Sequence, residues 1–145
     1  MVTIMVKKLI RKKFSGLAVV EAALVLPLLL LVSLGAIKYG HLFLKAQQIT
    51  NAARNGARTA IRVDADNDIV IAQVDSLMGA AGMPIYTLTL TPGNVSSQAD
   101  PPVIKGQSVT VQIVVLAENV DILRVPLFPN PDQLGARVAM VKEGF

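Results

Sequence analysis

The chain has 145 residues, a formal net charge of +4, 52% apolar and only 4% aromatic side chains, and no cysteine. Beside a membrane segment it holds at most one small domain, and the absence of cysteine excludes disulfide scaffolding, thiol nucleophiles and thiolate metal sites. The positive charge is no argument for nucleic acid, because it resides in the first 16 residues: +4 less the five basic side chains there leaves −1.

Those five, Lys7, Lys8, Arg11, Lys12 and Lys13, precede Gly16 with no acidic residue among them. From Leu17 to Ile37 follow 21 residues whose only ionisable side chain is Glu21. As a helix rising about 1.5 Å per residue, the run is about 31 Å long, close to the hydrocarbon thickness of a bilayer, which predicts a single membrane span. Five basic residues before the run against Lys38, Lys45 and Arg54 after it favour a cytoplasmic N-terminus. A carboxylate inside the run is unfavourable by roughly 2.5–3.5 kcal/mol at mid-helix and less near the end. Glu21 therefore either snorkels to water or meets a partner charge. Pro27 removes one backbone donor and predicts a bend or local opening. An ordinary secretory signal has a charge-free apolar core of roughly 7 to 15 residues ahead of its cut; this run is longer and contains Glu21, and Ser33-Leu34-Gly35 is a weak cleavage site.

Beyond the run the helix is expected to continue, since Leu42, Ala46, Ile49, Ala53, Ala57 and Ala60 recur every three or four residues as one amphipathic face. Ala36 and Gly40 form a small-xxx-small pair of the kind that permits close helix approach. Arg54, Arg58 and Arg62 make a basic ridge, read first as a solvated face. Asp64-Ala65-Asp66-Asn67-Asp68 suits a turn in which Asp68 caps the next helix. Asp64, Asp66 and Asp68 also open with calcium-loop spacing and Asp75 falls at the twelfth position, but Ile69 stands where that loop needs glycine and Asp75 where it needs glutamate. Residues 69–81 read as a second helix with Val70, Val74, Leu77 and Ala81 on one face, ended by Gly79, Gly82 and Pro84.

The period then changes to two. Tyr86, Leu88 and Leu90 alternate with threonines; Val109, Val111, Ile113 and Val115 alternate with Thr110, Gln112 and Val114; Leu134, Ala136, Val138 and Met140 form a third set. Pro92-Gly93-Asn94 to Gly106 reads as a loop, and Pro126, Pro129 and Pro131 exclude regular structure around them. Three such strands without room for crossover helices predict a small antiparallel sheet packed on helix. The expected fold is α+β: a basic leader at 1–16, a membrane-spanning and membrane-proximal helix at 17–63, and a small extracytoplasmic domain at 64–145.

The runs GLAVVEAALVLPLLLLVSLG and ITNAARNGARTA together resemble the TadE-like family of pseudopilins from tight adherence (Flp) pilus systems, which show a glycine, an A-x-V-E-x-A-L-x-L-P core and an N-A-A-R-x-G-A-R-x-A box. The resemblance covers about residues 11–62, and the two motifs together are more specific than either alone. The family commonly has an acidic residue and an arginine after the membrane run, where this chain has Lys38 and His41. The resemblance implies cleavage by a prepilin peptidase between Gly16 and Leu17, and a part in assembling an adhesive pilus. It places the protein in the bacterial inner membrane, at the assembly platform or in the fibre, among other pilin-like subunits. Glu21 is then the intramembrane pairing residue, its natural partner the amine freed at Leu17 on the same or a neighbouring subunit. Ala36, Gly40, Ala53, Gly56 and Ala57 are the small residues assigned to helix packing.

No catalytic residue, cofactor, nucleic acid or small-molecule substrate is expected. A catalytic site needs convergent nucleophile, base and orienter or metal ligands, and the one histidine, His41, falls just beyond the membrane run. Gly79-Ala80-Ala81-Gly82 lies at a helix end rather than between strand and helix, so it is no phosphate loop. The competing reading is a small binding module, secreted or tethered, whose N-terminal run is only a signal or anchor.

Overall fold

The computed structural model describes residues 14–96, 103–121, 129 and 131–142. The basic cluster from Lys7 to Lys13 and the segment around Pro126 lie outside the described residues. Helix α1 spans Phe14–Ala60 and helix α2 Asn67–Ala80; strands β1 (Thr87–Thr91), β2 (Ser108–Leu116) and β3 (Gln133–Val141) follow, with a 3-10 turn at Ala117–Asn119. The architecture is α+β, as the change of period predicts.

Two compact units divide the chain between Ile37 and Lys38. In the first, α1 runs helically through Pro27 instead of opening there. The lost donor removes one backbone bond while the turns on either side keep theirs. Ser33 donates its hydroxyl to the Leu29 carbonyl at 2.8 Å, the usual way a helix satisfies a serine in an apolar run.

The second unit begins within α1, so its core takes in helix residues that a boundary at residue 64 assigns to the membrane-proximal segment. Leu42, Ile49, Ala53, Ala57 and Ala60 are buried as their spacing predicts, joined by Ala52 and Gly56, while Ala46 is half-buried. Full burial of an isoleucine such as Ile49 is worth about 1.5–3 kcal/mol, but a single methyl only about 0.8 kcal/mol. The alanines contribute chiefly by letting other elements come close. Gly56 marks the closest approach: a Cβ there would lie 2.8 Å from Val74 Cγ2 and 3.4 Å from Val111 Cγ1.

Helix α2 begins two residues earlier than its periodicity suggests. Its cap is Asp66, not Asp68: the Asp66 backbone is extended, and its carboxylate accepts from the Asn67 amide at 2.7 Å. Asp68 sits in the first turn, where its charge complements the helix dipole. Val70, Val74 and Met78 face the core, with Leu77 and Ala81 at its margin. At the other end Gly82 adopts φ +68 and donates to Gly79 O at 2.9 Å, while Met83 donates to Met78 O at 2.9 Å, the paired bonds of a Schellman motif that only a left-handed residue completes. Gly79 is inside the helix. Lys45 reaches across from α1 to donate to Ala81 O, placing a cation at the negative end of α2.

The sheet is antiparallel in the order β1-β2-β3. Leu88 pairs with Ile113 and Leu90 with Val111; across the other edge Val138 pairs with Val111 and Ala136 with Ile113. Period-two alternation puts all of these on one face, where Val109, Val111, Ile113 and Val115 of the central strand are fully buried and the edge-strand residues half-buried. Thr89, Gln112 and Arg137 lie together on the other face.

Candidate functional site

In the N-terminal unit the apolar stretch of α1 is largely uncovered among the described residues. Leu17 is 68% exposed and Leu24 74%, and the window long and apolar enough to cross a membrane is 0% buried. A core helix of a water-soluble domain hides such a stripe; this one presents leucine and valine on all sides. Gly16 and Glu21 are both exposed, Glu21 one turn beyond Leu17, and a Cβ on Gly16 would meet nothing within 4 Å. Ala36 and Gly40 are exposed too, and a Cβ on Gly40 meets nothing. Neither small residue is covered by another described side chain. Ala53, Gly56 and Ala57 behave differently, being spent on the internal core against α2 and β2.

The N-A-A-R-x-G-A-R-x-A pattern thus resolves into two faces of one helix. Ala52, Ala53, Gly56, Ala57 and Ala60 are buried, while Arg54, Arg58 and Arg62 are exposed. Arg62 Nε lies 3.3 Å from Asp64 Oδ1 with both side chains largely in solvent, an ion pair worth little. With Asp64 beside Arg62 and Asp66 capping α2, two of the three turn aspartates have structural partners; among the described residues no three metal-ligating side chains are grouped.

Two interactions had no signal in the sequence. Lys38, counted above as a charge outside the membrane, is 3% exposed, and its ammonium lies 3.4 Å from Asp121 Oδ2, within ion-pair range though outside good hydrogen-bond geometry. The pair joins the first turn of α1 in this unit to the segment after the 3-10 turn, 83 residues on. His41, one turn further along α1, is half-buried. Tyr86 donates its hydroxyl to Asp75, tying the start of β1 to α2. Burial, this hydrogen bond and the Asp75 charge all raise the Tyr86 pKa well above its usual 10. The folded state holds that proton more tightly than the unfolded chain, so the contribution to stability is complete below about pH 10 and is lost as pH rises beyond it. In an alkaline absorbance titration, the difference between wild type and Tyr86→Phe should contain a phenolate that forms only well above pH 10. A difference centred near 10 would show that the tie to Asp75 does not hold.

The decisive observation is the combination, over one continuous helix, of Gly16, a bare apolar run with Glu21 at its fifth position, and the two-faced small-residue box. A family model described as TadE-like protein matches residues 16–58. Over these residues the chain is similar to TadE-like proteins. No curated protein and no solved structure matches the chain. The TadE-like match starts at Gly16, the glycine before the apolar run, and ends at Arg58, inside the box. It therefore spans both units: the bare membrane-type helix and the part of α1 that forms the core of the second.

Proposed function

We propose that this protein is a pilin-like subunit, processed by a prepilin peptidase after Gly16, that takes part without enzymatic activity in assembling a tight adherence pilus. The observation that carries the reading is the TadE-like stretch that opens on Gly16 and holds an exposed glutamate five residues later. In this proposal the basic leader stays in the cytoplasm, α1 crosses the inner membrane, and the unit from Lys38 onward lies outside it. Other pilin-like subunits and the assembly platform cover the apolar helix. Cleavage frees the amine of Leu17, and Glu21 pairs with that amine on a neighbouring subunit, an arrangement that lowers the cost of both charges in an apolar medium.

The test is cleavage in the native host. The mature chain should begin at Leu17, and Gly16→Arg should leave the full precursor. Because a Cβ at Gly16 meets nothing within 4 Å among the described residues, uncut Gly16→Arg would report on the peptidase and not on folding. A mature N-terminus near Ala36 would instead identify an ordinary secretory signal.

A further inference from the structure

Between α2 and the outer edge of β1 runs a slot of about 440 Å³. Its walls are Ile71 on the helix and Leu88 and Leu90 on the strand, all only partly covered. Polar ties close both ends. At one end Tyr86 bonds Asp75; at the other the Asn67 side chain donates to Gly93 O and accepts from the Val95 amide, each at 3.0 Å. Asn67 to Asp75 is eight helical steps, about 12 Å. Tyr86 to Leu90 is four strand steps, about 13 Å. The two walls match in length, and the slot between the ties accommodates three or four extended residues.

Strand β1 is an edge of the sheet, so alternate N–H and C=O groups along it point away from β2 with no strand among the described residues beside them. A strand laid there would sit about 4.8 Å further out, and its inward side chains would enter the slot over Ile71, Leu88 and Leu90. The helical rim is acidic: Asp68, Ile71 and Asp75 share one face of α2 at spacings of three and four, both carboxylates are exposed, and no cation among the described residues pairs with either.

We infer that the slot beside β1 docks an extended peptide segment of another protein, apolar at alternate positions and flanked by lysine or arginine, which joins the sheet as a fourth strand. A second copy of this chain fits less well. Its β1 has no charged residue, and the one charge on its β3, Arg137, projects on the face opposite to the slot, in register with Gln112. The inference stands on the second unit alone and does not depend on the pilus reading.

The test uses the full-length chain in phosphatidylcholine nanodiscs with two synthetic peptides, Lys-Thr-Val-Thr-Val-Thr-Lys and its twin with glutamate at both ends. Saturation with the lysine peptide should slow amide exchange in Thr87–Thr91 at least tenfold, and that peptide should bind at least tenfold more tightly than the glutamate twin. Ile71→Arg should abolish the protection while leaving exchange in β2 unchanged, which shows the fold intact. Asp75→Asn, which keeps an acceptor for the Tyr86 hydroxyl, should narrow the difference between the two peptides, and Asp68→Asn with Asp75→Asn should remove it. The inference is overturned by no protection of β1, by equal binding of both peptides to the wild type, or by protection that survives Ile71→Arg. It is equally overturned if β1 becomes protected without peptide as protein concentration rises, which would make a second copy the occupant.

Discussion

Glu21→Ala should insert, be cleaved and accumulate as the wild type does, yet support no pili. The neutral side chain is the more favourable one in a membrane by up to roughly 2.5–3.5 kcal/mol, so insertion has nothing to lose from the change. What the variant loses is a specific charge partner. Glu21 is exposed on a stretch of helix that the described residues leave uncovered, and in the proposed reading its partner charge is the Leu17 amine of a neighbouring subunit. Breaking a buried pair by removing one member leaves the other uncompensated, at about 3–5 kcal/mol, or roughly 150-fold to 5,000-fold in subunit association. Glu21→Asp keeps the charge on a shorter arm and should give a partial defect. Pilus counts by electron microscopy, at matched protein levels, decide the matter. Normal piliation of the alanine variant would mean that Glu21 merely snorkels to the interface.

Substitution of Gly56 by leucine should unfold the second unit while leaving the membrane run unaffected. A Cβ at this position already falls 2.8 Å from Val74 and 3.4 Å from Val111, before any further atoms are added. Gly56→Ala is the informative comparison. Alanine improves helix propensity by about 1 kcal/mol, while overpacking costs about 1–3 kcal/mol, so its net effect should be a loss of about 0–2 kcal/mol. Leucine brings three further carbons into the same contact, and its penalty exceeds any gain in propensity. Denaturant unfolding of the full-length chain in detergent, followed by protease resistance of residues after Lys38, should show Ala slightly and Leu severely destabilised. Equal stability of all three would mean that α1 does not approach α2 and β2 as closely as described.

Much of this architecture was legible in local pattern. The apolar length from Leu17 to Ile37, the recurrence of small residues from Leu42 to Ala60, and the three alternating runs each state a period that backbone geometry turns directly into an element and its buried face. The order of the strands was not stated by their alternation, and the central place of β2 came only with the pairing. Termini were less legible. Asp66 and Asp68 are both good caps by type, and the choice between them falls to whichever backbone is extended where the chain leaves the preceding turn.

The candidate site divides in the same way. Gly16, Glu21 and the box of small residues and arginines are fixed by covalent order, so their spacing identifies the TadE-like segment without any fold. Which of the small residues is available to a partner depended on the tertiary structure. Ala36, Gly40, Ala53, Gly56 and Ala57 are alike in size, yet only the first two remain bare, because α2 and β2 return to cover the last three. Lys38 and Asp121, and likewise Asp75 and Tyr86, are brought together by the same return of the chain. Local sequence determined the helix, the strands and the membrane run because those depend on neighbours a few residues away. Only the tertiary structure decided the ion pair and the slot beside β1, since long-range packing sets which side chains meet and which are left open.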